Sequence, residues 1–389
     1  MITSHRPAEV ERAIRSAPAH SLPEALGKAL TAHLPAVVGS QLFLADYHLN
    51  VLVPVNGPAA DEALKVQGTA AGQAFVSRCP VIRQHVSAEG PACQLFAPVT
   101  ARGERLGVLS VLTLAPDADR LIDDLVEIGE LVGAALKVAW NHSDRYERAR
   151  RRQRLTLAAE IQWQLLPGHG STSKEFSLAG HLEPAYSIAG DNFDWSTEQD
   201  HLTLTVTNGS GTGIQAALLT ALTVGALRNS RRSGEELADQ AGLAGAVVNA
   251  RYRGHEFTET ILLRIDLASG LVSAVDAGSP HIFRMRGEQV IPIELEHQMP
   301  LGMFPDTEYK AQEFKLDPGD RLLIVSDGVY SAISPYGEDF GTKVLQQQIF
   351  NTRLQDPAEV PLSIITSLMD YHEGQELLDD AVVVCLDWK

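Results

Sequence analysis

Aspartates that could ligate a metal ion recur beside glycines or at strand ends in the second half of the sequence. The segments are Gly190–Asp194, Ser326–Val329 and Leu378–Ala381, with Asp191, Asp327 and Asp379 as the leading carboxylates. A strand that delivers a carboxylate into a glycine-permitted turn presents oxygen ligands to a hard cation. No His or Cys cluster accompanies them, which favours Mg²⁺ or Mn²⁺ over Zn²⁺. One Asp-Gly pair is usually a plain turn, so only their recurrence predicts a metal site.

The elements that would position these aspartates form a strand-rich region from residue 176 to the C-terminus. Strands are predicted at Leu202–Val206, Glu259–Asp266, Leu271–Asp276, His281–Met285, Gln289–Ile293, Tyr309–Leu316, Arg321–Ser326 and Ala381–Leu386. Helices are predicted at Gly213–Arg231, Glu235–Arg251, Lys343–Thr352 and Val360–His372. Such a pattern favours two sheets packed face to face and covered by paired helices. The segment Gly190–Asp194 is expected to end an element.

The N-terminal region, residues 15–140, has an α+β pattern of its own. A helix begins after Ser21, and an amphipathic helix spans Leu121–Trp140. Between them, strands are predicted at Gln41–Ala45, Val51–Val55, Cys93–Val99 and Leu106–Leu114. The sequences Gln94-Leu-Phe-Ala-Pro-Val and Gly103-Glu-Arg-Leu-Gly-Val-Leu-Ser-Val form a hairpin that resembles a GAF domain. The resemblance implies a small-molecule sensor or a dimerisation module, and both remain open.

The segment 141–168 is predicted to be an arginine-rich signalling helix that continues from Leu121–Trp140 and pairs with its twin in a homodimer. Its arginines are Arg145, Arg148, Arg150, Arg151, Arg152 and Arg154. A basic run can bind nucleic acid, but the formal net charge of the chain is −17. We therefore expect a solvated helix face, with no nucleic acid partner.

Composition sets the broad class of the protein. Hydrophobic residues make up 44% of 389 residues and charged residues 21%, as in globular chains with a full core. The N-terminus shows no apolar targeting segment, and the apolar runs are too short to span a bilayer. Three scattered cysteines indicate reduced thiols. We expect a cytoplasmic protein that does not enter a membrane.

A series of short motifs follows residue 157. They are Ala159-Glu-Ile-Gln162, Leu165-Leu-Pro167, Glu183-Pro-Ala185, Gly190-Asp-Asn-Phe-Asp194, Asn208-Gly-Ser-Gly-Thr-Gly213, Asp276-Ala-Gly-Ser-Pro280, Pro300-Leu-Gly302, Ser326-Asp-Gly-Val329 and Asp379-Asp-Ala381. With these motifs in this order, the chain from residue 157 onward resembles the SpoIIE/RsbU-type branch of the PPM (PP2C-like) metal-dependent protein phosphatases. The resemblance implies a four-layer α/β/β/α sandwich over residues 169–389, joined to the GAF-like domain by the helix.

The resemblance also implies a reaction: a metal-activated water hydrolyses phosphoserine or phosphothreonine. In that reading Asp191, Asp327 and Asp379 are catalytic and ligate Mn²⁺ or Mg²⁺, one or two ions. Gly209 offers a backbone carbonyl, and Asp194 and Asp380 are neighbours that could assist. The implied partner is a phosphorylated STAS-type (anti-anti-sigma) protein.

Two positions in one turn depart from the family pattern. Asn208 stands where the family has the Asp that bridges the two ions, and Thr212 stands where it has His. An amide is neutral, and its NH₂ group points hydrogens at whatever the second carboxylate oxygen would bind. Three alternatives remain open: a working or weakened phosphatase, a pseudophosphatase that only binds a regulator, and a sensor whose C-terminal domain mediates assembly.

Overall fold

The computed structural model divides the chain into two units, Met1–Arg154 and Leu155–Lys389. It describes residues 6–55, 62–87, 90–114, 118–151, 154–185, 190–278, 280–333, 340–373 and 377–389. Ser279 and Arg152, which belong to predicted motifs, lie outside the described residues. No helix within these ranges combines the length and apolar content that bilayer crossing requires.

The first unit is built on one antiparallel sheet of six strands, in the order β3-β2-β1-β6-β5-β4. The strands are β1 (Val37–Ala45), β2 (Val51–Pro54), β3 (Leu64–Lys65), β4 (Val81–Ser87), β5 (Gly90–Ala101) and β6 (Glu104–Leu114). The helices are α1 (Arg6–Ser16), α2 (Leu22–His33), α3 (Ala70–Ser77), α4 (Ala118–Trp140) and α5 (Arg145–Arg150). The predicted hairpin is β5 paired with β6. The core packs α1, α2 and α4 against the sheet.

The predicted continuous signalling helix is wrong. Helix α4 ends at Trp140, where the amides of residues 141 and 142 bond the carbonyls three residues earlier. Helix α5 then folds back onto its own unit: Arg145 pairs with Glu24 at 2.5 Å, and the Tyr146 hydroxyl donates to the Ala19 carbonyl. Arg150 lies over an aromatic ring, 4.4 Å from the centroid of Tyr47. These arginines therefore anchor the end of the first unit rather than line a solvated helix.

The second unit contains two sheets. One has the order β15-β12-β11-β10-β9 and the other β14-β13-β16-β17-β8-β7. The strands are β7 (Gly170–Thr172), β8 (Phe176–Glu183), β9 (Asn192–Thr197), β10 (His201–Gly209), β11 (Thr258–Asp266), β12 (Leu271–Ala277), β13 (His281–Arg286), β14 (Gln289–Pro292), β15 (Gln312–Lys315), β16 (Arg321–Val325) and β17 (Ala381–Trp388). The helices are α6 (Leu157–Leu165), α7 (Gly213–Arg232), α8 (Leu237–Tyr252), α9 (Asp327–Tyr330), α10 (Gly341–Asn351) and α11 (Val360–Tyr371).

Three apolar cores separate four layers in this unit. The central core joins the inner faces of both sheets, for example Phe193 and Leu204 from one and Ile324 and Val384 from the other. Helices α7 and α8 cover the outer face of the first sheet, and α10 and α11 cover that of the second. The α/β/β/α sandwich predicted for this part of the chain is therefore present.

Two predictions near the site need correction. The segment Gly190–Asp194 does not end an element: Asp191 directly precedes β9, whose Phe193 enters the central core. The strand predicted at Tyr309–Leu316 is shortened to Gln312–Lys315, because only that stretch pairs with β12. Strands β8 and β9 were missed, since Gly180, His181 and Asp194 interrupt their apolar pattern.

Candidate active site

The carboxylates predicted from sequence converge at one end of the sandwich. Asp191 precedes β9, Asp327 follows β16, and Asp379 precedes β17. The charge of Asp327 raises the pKa of both Asp191 and Asp379, as expected for carboxyls that lie in the same part of the unit. Strands β16 and β17 are paired neighbours, so their ends bring Asp327 and Asp379 together.

Close backbone approach explains why glycines accompany these aspartates. A Cβ on Gly328 would overlap the Asp380 carbonyl oxygen, so only glycine lets the turn after β16 pack on the turn before β17. Gly190 has a φ of 96°, a value that favours glycine. Gly209, at the end of β10, packs against the Gly190 carbonyl. The predicted backbone ligand thus lies beside the Asp191 turn.

Asp191 is completely buried, and its two carboxylate oxygens accept no hydrogen bond of ordinary geometry from the described residues. Burial raises its pKa well above the usual value, and the charges of Asp380 and then Asp327 raise it further. The nearby Ser326 hydroxyl opposes this rise in pKa. A buried carboxyl in such surroundings requires a proton, a water or a cation.

Asp379 is half-buried. Burial, followed by the charge of Asp327, raises its pKa to about 6. Its Oδ1 accepts the Asp380 amide at 2.8 Å, which opposes the rise in pKa. This carboxyl is more accessible than Asp191 and is therefore the better placed of the two to face solvent.

Asn208 contacts Asp327 directly. Its Nδ2 donates to the Asp327 Oδ1 at 2.6 Å, and the Gly328 amide donates to the same oxygen at 3.0 Å. The residue at the predicted bridging position therefore occupies a carboxylate oxygen of a predicted ligand. An Asp at position 208 would present negative charge there instead of a donor.

Two neighbouring aspartates have structural partners. Asp194 is buried and pairs with Arg228 at 2.7 Å and Arg231 at 3.0 Å, which ties β9 to α7. Asp380 is buried and accepts hydrogen bonds from four donors. One of these donors is Gln162 of α6, which belongs to the Ala159–Gln162 motif but carried no predicted role in the site. Gln162 and Asp380 are 218 residues apart, so in the sequence only the motif could have indicated a role for Gln162 in the site.

These side chains do not form a closed metal cage. Among the described residues, no three His, Cys, Asp or Glu side chains are grouped so that they could hold an ion. Magnesium, however, commonly binds through one or two carboxylates together with substrate phosphate and water. The unpartnered oxygens of Asp191, close to Asp327, fit one such cation. At the position where the resemblance implies a bridging carboxylate, the neutral Asn208 amide donates to Asp327, so a two-cation centre would lack that bridge.

Comparison with known proteins identifies relatives of this chain. Residues 198–389 match the family model "Stage II sporulation protein E (SpoIIE)". The protein IcfG of Synechocystis sp. is 23% identical over 264 residues, which cover 60% of this chain and 41% of IcfG. The phosphoserine phosphatase RsbU of Bacillus subtilis is 21% identical over 275 residues, covering 70% of this chain and 81% of RsbU.

Two further relatives extend well beyond the matched region, and one solved structure is similar to part of this chain. The stage II sporulation proteins E of Priestia megaterium and Bacillus subtilis are 23% and 22% identical, and the matches span only 33% and 21% of their lengths. The SiaA-PP2C domain of Pseudomonas aeruginosa has a TM-score of 0.49 and 17% identity, over 55% of this chain and 86% of that domain. Residues 198–389 of the C-terminal unit therefore match the SpoIIE family, and the phosphoserine phosphatase RsbU is among the relatives of the chain.

Proposed function

We propose that the second unit is a metal-dependent protein serine/threonine phosphatase whose turnover is limited by Asn208. The observation that carries this proposal is the convergence of Asp191, Asp327 and Asp379 at one end of the sandwich, in a chain whose relatives include a phosphoserine phosphatase. The proposed substrate is a phosphorylated STAS-type regulator, as expected for a partner-switching circuit.

In this proposal Asp191 and Asp327 hold one Mn²⁺ or Mg²⁺ ion jointly with the phosphoryl group, and Asp379 and the Gly209 carbonyl complete the pocket. The bound ion would neutralise phosphoryl charge and activate a water. The chain itself positions the Asp191 turn through buried hydrogen bonds to Asp380. Asn208 holds Asp327 in place but adds no negative charge.

The bond between Asn208 and Asp327 supports a second candidate, a pseudophosphatase that binds the phosphoprotein without hydrolysing it. Without the carboxylate at position 208, two cations in close proximity lack the charge that makes their approach tolerable. The two candidates differ in turnover, not in fold.

Phosphate release separates the candidates. The full chain is incubated with Mn²⁺ and a phosphoserine-bearing STAS-type protein, and wild type is compared with Asn208→Asp. We expect slow release by wild type and an increase of about 100-fold in the variant, the size typical for a lost charge-stabilising group. Asn229→Asp makes the same chemical change on the exposed face of α7 and should match wild type.

Each remaining outcome has a definite meaning. Binding of the phosphoprotein with no release by wild type, but release by Asn208→Asp, identifies a pseudophosphatase. No release by either protein contradicts the phosphatase proposal and the role assigned to Asn208.

We further propose that the first unit is a GAF-like sensor that regulates the phosphatase and forms a homodimer. Its six-stranded antiparallel sheet with α4 packed on one face supports this proposal. Val138 on α4 is 65% exposed, as expected for a helix that contacts a second copy. Sedimentation of wild type and Val138→Glu tests the dimer: the variant should sediment as a monomer, and equal sedimentation contradicts this contact.

A further inference from the structure

The carboxylate of Asp380 is a buried hydrogen-bonding hub beside the candidate site. Its side chain is 0% exposed. Its donors are Gln162 Nε2 at 2.6 Å and the amides of Ala185 at 2.8 Å, Gly190 at 3.0 Å and Asp191 at 3.3 Å. Two of these amides belong to the turn that carries Asp191. Asp380 therefore fixes the backbone of that turn.

Gln162 reaches the same turn by a second route. Its Nε2 also donates to the Asp191 carbonyl oxygen at 3.0 Å. The side chain is 1% exposed, so both bonds lie away from competing water. One amide group thus connects helix α6 with the hub and with the backbone of Asp191.

The Asp191 carboxyl depends on this backbone support. Its own oxygens have no ordinary hydrogen-bond partner among the described residues. Its location is therefore set by the main chain on either side, which is held by Asp380, by Gln162 and by the Thr220 hydroxyl that donates to the Gly190 carbonyl at 2.5 Å. A side chain without direct support loses its place when its backbone relaxes.

We propose that Gln162 is a positioning residue, which sets the place of the Asp191 carboxyl through Asp380 and through the Asp191 carbonyl. The inference deepens the proposed function and rests on it for the chemical role of Asp191. The positioning itself is a property of the fold and is measured separately.

Amide hydrogen exchange on the full chain provides the direct test. Gln162→Met keeps the length of the side chain but removes the donor. We expect exchange about tenfold faster in peptides that contain Ala185, Gly190 and Asp191, with strand β11 unchanged. Gln164→Met is the matched control, because Gln164 is an exposed glutamine of the same helix that bonds Glu160 at 2.8 Å. This control should leave both segments unchanged.

A second variant distinguishes a loss of positioning from a general folding defect. Gln162→Glu preserves shape but replaces the donor with an oxygen that faces Asp380, so exchange in the same peptides should rise at least as much. A uniform rise across all peptides in both Gln162 variants, or no rise in either, overturns the inference, since the first result would indicate general destabilisation.

Kinetics give a readout that simple destabilisation would not move. In the Asn208→Asp background, Gln162→Met should lower kcat for the phosphoprotein about tenfold with KM unchanged, because positioning acts on the reacting group. A rise in KM alone contradicts positioning. If exchange rises only in the expected peptides but no variant releases phosphate, the positioning is supported and only the proposed phosphatase activity is contradicted.

Discussion

Two sides of the candidate site satisfy the hydrogen-bonding capacity of their carboxylates in different ways. On the Asp380 side, one buried carboxylate accepts four donors and holds a turn in place. On the Asp327 side, a neutral amide from Asn208 donates to a carboxylate oxygen of the proposed cation ligand. The first side preserves geometry and the second alters charge. One end of the sandwich therefore combines a carboxylate that supports the backbone with a carboxylate that a neutral amide contacts.

The largest effect is expected at the hub. Asp380→Ala leaves buried donors without an acceptor, and we expect a loss of about 3–5 kcal/mol in the free energy of unfolding. Asp379→Ala, one residue earlier and half-buried, should cost less than about 1 kcal/mol. Urea denaturation of both variants measures the difference. Equal losses would remove the distinction between an anchor and a pocket carboxylate.

A smaller effect is expected where the two sides meet. Gly328→Ala places a Cβ against the Asp380 carbonyl, so the turns must separate, and we expect a loss of about 2–3 kcal/mol. Gly225→Ala is the control: this helical glycine has open space around its Cβ position and should gain about 0.5–1 kcal/mol. Thermal unfolding tests both, and an unperturbed Gly328 variant would contradict the close approach.

The smallest expected effect is a pH dependence of stability caused by Asp276, a carboxyl that belongs to neither side of the site. Burial raises the pKa of Asp276 above its usual 3.8, although the Gly278 amide and the charge of His297 lower it in part. Because the pKa of this carboxyl is higher in the folded protein than in the unfolded chain, the unfolded chain loses the proton more easily. The free energy of unfolding therefore falls as pH rises above about 4. We expect the free energy of unfolding to fall between pH 4 and pH 7 for this reason. Asp276→Asn should abolish that part of the pH dependence, and an unchanged profile would show that Asp276 does not cause it.

The sequence predicted the central strands well because their apolar patterns are regular. Apolar residues are consecutive in β11 and β16 and alternate with threonines in β10, and Asp327 after β16 was found from its Asp-Gly turn. The contacts that give these residues their roles could not be predicted. Asn208 and Asp327 are 119 residues apart, and Gln162 and Asp380 are 218 apart. Helix α5 was also misjudged, because the return of Arg145 to Glu24 depends on tertiary contacts rather than on helical periodicity.

Counting the Mn²⁺ ions that bind to the full chain tests the effect of Asn208 most directly. Free Mn²⁺ is followed by electron paramagnetic resonance during titration of wild type, Asn208→Asp and Asn229→Asp. We expect about one tightly bound ion in wild type and in Asn229→Asp, and about two in Asn208→Asp, because the carboxylate restores the bridge. Two tightly bound ions in wild type, or no gain in Asn208→Asp, would contradict this role of the amide.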